Sequence, residues 1–173
     1  MSNPYSLEKS GTGYFFTTDA GLIYYAYFEP YQDLFIDYPL IQFYIHTFNF
    51  EVKNFNGFRK PPKDTDGRIK DTIAFLIDSF FKQDEESALI IICDSADRKH
   101  KSRNKMFNDL FLNNDVNNLL EKHDGFNVGK DEEGKVFIEV YSSLIINQNH
   151  IFREELIEAY HYVRTEQFIK TEQ

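Results

Sequence analysis

Apolar and polar positions along this chain alternate with two different periods, and each change of period marks a new element. In GYFFTTDAGLIYYAYFEPY (13–31), β-branched and aromatic residues flank Asp19-Ala20-Gly21, the pattern of two strands joined by a turn that ends on glycine. The Tyr38-Pro39 step favours an extended entry into LIQFYIHTFNFEV (40–52). There Ile41, Phe43, Ile45 and Thr47 alternate with Gln42, Tyr44, His46 and Phe48, predicting a third strand whose aromatic second face is partly covered. FNGFRKPPKDTDG (55–67), with two prolines, two glycines and mixed charge, reads as the longest loop.

The period then becomes helical. Ile69, Ile73, Leu76, Ile77 and Phe80 return on one stripe, Asp64 or Asp66 is placed to cap it, and the charged run 82–86 ends it in solvent. ALIIICDS (88–95) does not alternate: it is the continuous apolar run of a central strand buried on both faces and parallel to a neighbour. Met106, Phe107, Leu110 and Phe111 then predict a second helix, and an Asn-rich link leads to a short helical piece around Val116, Leu119 and Leu120. GFNVGKDEEGKVFIEVYSSLII (125–146) reads as a hairpin turning at 131–134, with Val136, Ile138 and Val140 on one face. From about 150 to 166, Phe152, Leu156, Ala159, Tyr160 and Val163 occupy one side of a helix and Glu154, Glu155 and Glu158 the other. The order βββ-α-β-α-ββ-α, with no internal repeat or linker, predicts a single α+β domain over residues 1–173. Its sheet is mixed, mostly antiparallel and of about six strands, with helices packed on it.

Composition narrows this picture. A chain of 173 residues suits one hydrophobic core, and 18 Phe with 11 Tyr exclude a disordered polymer. The lone Cys93 allows no intrachain disulfide, which makes a cytoplasmic setting the expectation. MSNPYSLEKSGTG lacks the basic-then-apolar pattern of a secretion signal, and no apolar run is long enough to span a bilayer, so no membrane association is predicted. A net charge of −9 repels a phosphate backbone at long range, so nucleic acid is not an expected partner.

Against this acidic background Arg98, Lys99, Lys101, Arg103 and Lys105 stand out, because they open the helix that follows the central strand. A helix start exposes unpaired backbone N–H groups, so cations added there suit a phosphate or carboxylate. The alternative is a solvated helix face, since each such cation costs the helix only about 0.3–1 kcal/mol. Asp94, Asp97 and Asp109 partly cancel the cluster. A weaker second candidate is the helix start at Gly67 and Arg68, where glycine permits close backbone approach but Asp64 and Asp66 oppose an anion unless Lys63 and Arg68 offset them.

The five histidines show no zinc spacing, and no metal site is expected. Ser142, Ser143 and Cys93 lie in strand patterns and read as structural, so no catalytic residue is identified. Tyr24, Tyr25, Tyr27, Tyr31, Tyr38 and Tyr44 crowd the first three strands; they fill a core or, on one open face beside Glu29 and Asp33, form a protein interface.

The element order over residues 14–146 resembles the GNAT-type N-acetyltransferase superfamily, without its usual helices between the first two strands. In that family a loop reading Arg or Gln, two residues, Gly, one residue, then Gly or Ala holds the coenzyme A pyrophosphate. Here Asp64, Gly67 and Ile69 take those positions, and only Gly67 fits. The family's Asn and its proton-donating Tyr fall on His100 and Phe107, and Phe107 has no proton to give. The resemblance implies a GNAT-like domain binding coenzyme A, acyl-coenzyme A or another phosphate-bearing small molecule near Gly67, Arg68, Arg98, Lys99 and Arg103. Any transfer would need Tyr141 or another strand-end tyrosine as acid, with Asp94 orienting its neighbours. The chain as a whole also resembles a small family of uncharacterised bacterial proteins of unknown function, through Cys93-Asp94-Ser95, Arg103-Asn104 and Phe107. That likeness groups Asp94, Arg103 and Asn104 at the carboxyl end of the central strand, where open α/β sheets place ligands. The competing expectation is a non-catalytic acidic protein that binds a basic protein partner through its Tyr-rich sheet, as immunity proteins do.

Overall fold

The computed structural model describes residues 3–53, 66–96, 98–113 and 119–166. Most of the proline-rich loop, Lys63, Asp64, Asp97 and Val116 lie outside that set. The architecture is α+β. Strands β1 (Glu8–Ser10), β2 (Gly13–Thr17), β3 (Ile23–Pro30) and β4 (Ile45–Val52) precede helix α1 (Gly67–Gln83). Then come β5 (Ala88–Asp94), α2 (His100–Asn113), the hairpin β6 (Leu120–Lys130) and β7 (Val136–Asn147), and finally α3 (Arg153–Glu166). Among the described residues the strands follow the hydrogen-bonded order β1-β2-β3-β4-β5-β7-β6, seven where about six were expected. Among the described residues no helix is long and apolar enough to cross a membrane.

Contacts divide the chain into two compact units, Met1–Glu29 with Phe48–Gln83, and Pro30–Thr47 with Asp84–Gln173. In the first, β2 and β3 form the expected hairpin, and Gly21 at φ 79° takes the left-handed turn position that glycine adopts without strain. Phe16 stacks between Tyr5 and Tyr24, at 5.9 and 5.0 Å between ring centroids. Helix α1 buries Ile69, Ile73, Leu76 and Phe81, while Phe80 stacks on Phe28 at 4.4 Å. The added strand, β1, is three exposed polar residues paired with β2, so no apolar signal announced it.

In the second unit Ile45–Thr47 of β4 pair in parallel with Ala88–Ile90, and β7 pairs antiparallel with β5 along Leu89–Asp94. With a strand on each side, Ala88, Leu89, Ile90, Ile91 and Cys93 are all buried, which accounts for the unbroken apolar run. Ile90, Leu144, Ile146, Leu156, Ala159 and Tyr160 belong to one core, joined by Phe35, Ile41 and Ile45.

Two expectations are corrected here. The third strand begins at Ile45, not at residue 40, because Gln42–Tyr44 form a 3-10 turn closed by Tyr44 N–H on the Ile41 carbonyl. The turn breaks the alternation: Ile41 and Ile45 stay buried, and Phe43 turns outward with 64% of its surface exposed. Leu119 is a turn residue and Leu120 opens β6 rather than a helix, paired with Asn147 across from the long apolar run of β7. Cross-strand pairing with β7 decides the state of Leu120, where the spacing of Val116, Leu119 and Leu120 alone suggests a helix.

Candidate functional site

Strand β5 ends at Asp94, and the chain turns sharply before α2. Asp94 Oδ1 accepts from Ala96 N–H at 3.0 Å, and the Ser95 carbonyl accepts from Arg98 N–H at 3.0 Å. Arg98 is held at φ 61°, a left-handed conformation that residues with a Cβ rarely adopt. Arg98 and Lys99 are exposed, whereas Arg103, one turn into the helix, is half-buried and donates from Nη2 to the Asp94 carbonyl at 3.1 Å. Asn104 is half-buried beside it on α2. The first turn of this fourteen-residue helix carries no acid.

The same corner holds a pair that sequence spacing could not reveal. His100 Nε2 donates to Glu139 Oε2 at 2.8 Å, and Lys101 Nζ lies 3.3 Å from the same oxygen. These contacts, from His100 first and Lys101 second, hold Glu139's carboxyl below its ordinary value. Ser95 Oγ accepts from Glu139 N–H at 3.0 Å, which ties the pair to the end of β5. The His100 ring stacks on Tyr141 at 5.9 Å, and Tyr141 packs on Phe126 at 4.6 Å. The His100 side chain is only 9% exposed, and its Nδ1 is buried without a hydrogen-bond partner among the described residues.

Gly67 and Arg68 stand in the other unit, at the start of α1. Arg68 is engaged there: Nη1 donates to both carboxylate oxygens of Asp19 at 3.2 and 3.0 Å, Nε donates to the Asn3 carbonyl at 3.2 Å, and the guanidinium lies 3.9 Å from the centre of the Tyr5 ring. Asp66 Oδ1 caps the helix by accepting Arg68 N–H at 2.9 Å, fulfilling one of the two expected caps. An anion at this helix start competes with two carboxylates already in place. Phe107, at the position of the GNAT tyrosine, is buried, as is Cys93. Ser143 Oγ donates to Asp124 at 2.7 Å and Ser142 Oγ lies 2.9 Å from the Tyr160 hydroxyl.

A second polar cluster lines β6 where α3 packs on it. Arg153 grips Glu121 with Nε at 2.6 Å and Nη2 at 2.8 Å, and His123 Nε2 lies 3.3 Å from Glu121 Oε1. The His123 and His161 rings meet edge to face at 6.4 Å; Arg164 donates to His161 Nδ1 and to Asn127 Oδ1, both at 3.2 Å. Burial raises the Tyr160 hydroxyl to about 12, although its hydrogen bond to Ser142 pulls the other way. Burial would also raise Glu121, but Arg153 and His123 more than offset it and leave the carboxyl lowered. Burial, then Arg164 and His123, lower His161.

A base whose folded pKa is lowered takes up its proton first in the unfolded chain. Stability at His161 is therefore intact above about pH 6.5 and falls as the pH drops from there toward the folded pKa. The lowered carboxyls act in a lower window, stabilising above about pH 4.5 and losing that contribution on further acidification. Melting temperature measured between pH 7 and 5 is expected to fall in the native protein and to fall less steeply in His161→Asn, which keeps an acceptor but no ionisable ring. Equal slopes would remove His161 from the account.

Among the described residues no three His, Cys, Asp or Glu side chains converge to hold a metal ion. A model of a family of unknown function (DUF6169) matches residues 65–162, more than half of the 173-residue chain. The chain belongs to this family. No curated protein and no solved structure matches it. The DUF6169 match runs from just ahead of α1 to within α3, and so takes in both helix starts, the His100–Glu139 pair and the β6–α3 cluster. Within this DUF6169 chain Arg103 reaches back from α2 to the Asp94 carbonyl at the end of β5, and Arg98 and Lys99 lie in the turn between the two elements. His100–Glu139 was not foreseen because its members are 39 residues apart and one lies in a strand; the only sequence cue was a histidine at the mouth of a basic helix.

Proposed function

We propose that this chain is a GNAT-like domain that binds coenzyme A, acyl-coenzyme A or another phosphate-bearing small molecule at the β5–α2 corner, through Arg98, Lys99 and Arg103. The observation that carries the reading is the left-handed Arg98 in the turn that ends β5. Strain of this kind, of order 1–3 kcal/mol, is found where function requires a particular backbone direction. Here it presents two exposed cations ahead of a helix whose own first turn contributes no acid, and the Glu139 carboxylate that reaches this corner from β7 is held by His100 and Lys101 rather than by Arg98. Arg103 is already fixed by the Asp94 carbonyl, so little side-chain freedom is lost on binding. The parallel pairing of β4 with β5 and the hairpin after α2 add topological support. Gly67 and Arg68 leave the ligand site in this reading, since Asp19 and Asp66 occupy them. Acyl transfer is not part of the proposal, because Phe107 cannot protonate a thiolate.

The test is a thermal shift with coenzyme A, acetyl-coenzyme A and inorganic phosphate. At a ligand concentration about a hundred times Kd, stabilisation of about 2.7 kcal/mol raises Tm by roughly 5–10 °C for a chain of this size. Joint replacement of Arg98, Lys99 and Arg103 by Ser is expected to abolish the rise while circular dichroism stays native. Should the triple variant unfold, Arg98→Ser alone serves, its side chain being exposed. Absence of any shift in the native protein overturns the proposal.

A further inference from the structure

We infer that the segment Tyr31–Tyr44, together with the outward side of α3, is a docking surface for a lysine- and arginine-rich amphipathic segment of a partner protein. The observations are independent of the β5–α2 corner. Ile36, Leu40 and Phe43 expose 69%, 67% and 64% of their surfaces, three large apolar side chains within eight residues. Scattered single apolar residues are ordinary on a surface, but a group of this kind on one short segment marks a contact site.

The segment is also rigidly built. Tyr38 N–H closes on the Phe35 carbonyl at 2.9 Å, Ile41 and Gln42 N–H on the Tyr38 carbonyl at 3.1 and 3.0 Å, and Tyr44 N–H on the Ile41 carbonyl at 3.0 Å. Phe35 and Ile41, at 0% and 1% exposure, anchor it in the core. Side chains presented on such a base lose little backbone freedom when a partner arrives.

Charge identifies the partner. Between Pro30 and Thr47 there is no Lys or Arg, and Asp33 and Asp37 are both exposed. The surface continues onto α3 where Tyr38 meets Tyr162, at 6.4 Å between rings and with Tyr162 56% exposed. The two arginines of α3 reach β6, Arg153 at Glu121 and Arg164 at Asn127, whereas Glu155 and Glu158 are exposed. Burial, Tyr162, Glu158 and Asp37 together raise the Tyr38 phenol, which agrees with those acids lying around it. An apolar centre with an acid rim complements cationic side chains flanking apolar ones. A second copy of this chain would set the same acids against each other, and a membrane of anionic lipid would be repelled by them.

The probe is a labelled helical peptide of alternating Leu and Lys composition, with a Leu/Glu peptide as control, followed by fluorescence anisotropy at low and high salt. The Leu/Lys peptide is expected to bind, the control not. Ile36→Ser with Leu40→Ser and Phe43→Ser should weaken binding at least tenfold at unchanged net charge, and Asp33→Asn with Asp37→Asn and Glu158→Gln should flatten its salt dependence. Leu40→Ser alone covers the case in which the apolar triple fails to fold. Equal binding by the apolar variants reduces the effect to general attraction between opposite charges and overturns the inference. So does concentration-dependent dimerisation in sedimentation that the apolar variants abolish, because the occupant is then a second copy.

Discussion

Ile90→Ala is expected to destabilise the protein by about 2–5 kcal/mol, the range for truncating a fully buried aliphatic side chain whose surroundings cannot collapse. Ile90 is 0% exposed at the centre of β5, pairs with Thr47 on one side and Leu144 on the other, and shares a core with Leu156 and Tyr160. A strand held by neighbours on both edges cannot shift to fill the void. At roughly 2–4 °C per kcal/mol for a chain of this length, Tm should drop by about 4–20 °C. Leu112→Ala, at a side chain 80% exposed on α2, should change stability by no more than about 0.5 kcal/mol. Similar losses from the two substitutions would mean that β5 is not the centre of the core.

Gly125→Ala is the second substitution with a large expected cost, for reasons of space. A Cβ at position 125 would lie 2.6 Å from Arg164 Cδ and 2.9 Å from the Tyr160 hydroxyl. Tyr160 is wholly buried and bound to Ser142, so it cannot retreat. Overpacking of this kind costs about 1–3 kcal/mol. Arg164 is the more yielding neighbour, and a double-mutant cycle isolates its share: Gly125→Ala combined with Arg164→Ala should cost less than the two single losses added, measured by urea denaturation. Strict additivity would place the clash elsewhere.

Much of the fold was legible because burial writes itself into periodicity. The unbroken run at 88–93 announced a strand flanked on both sides, and the helical stripes of α1 and α3 fell where Ile69, Ile73 and Leu76, and Leu156, Tyr160 and Val163, are buried. What escaped was set by partners distant in sequence or by turns too short to carry a period. Residues 8–10 are polar and belong to a strand only because β2 lies beside them. Phe43 fits an alternating pattern, yet a three-residue turn points it outward. At the candidate site, Arg98, Lys99 and Arg103 were visible as a local run of charge, while the partner that fixes His100 comes from β7 and leaves no trace in the spacing. Arg68 stood out as a ligand for an anion because Gly67 opens a helix beside it, against the nearby Asp64 and Asp66; the carboxylate that engages it, Asp19, is 49 residues away.

Among the described residues strand β6 stands last in the strand order, and the far side of such a strand carries backbone amides and carbonyls able to recruit a passing extended chain. Over its eleven residues it sets Glu121, Lys122, His123 and Asp124 in succession and closes on Lys130, with no uninterrupted apolar stretch. Of these, Asp124, with 60% of its side chain exposed, and the exposed Lys130 are the charges that an added strand would have to cover, a cost that shields the margin of the sheet from fibril-like growth.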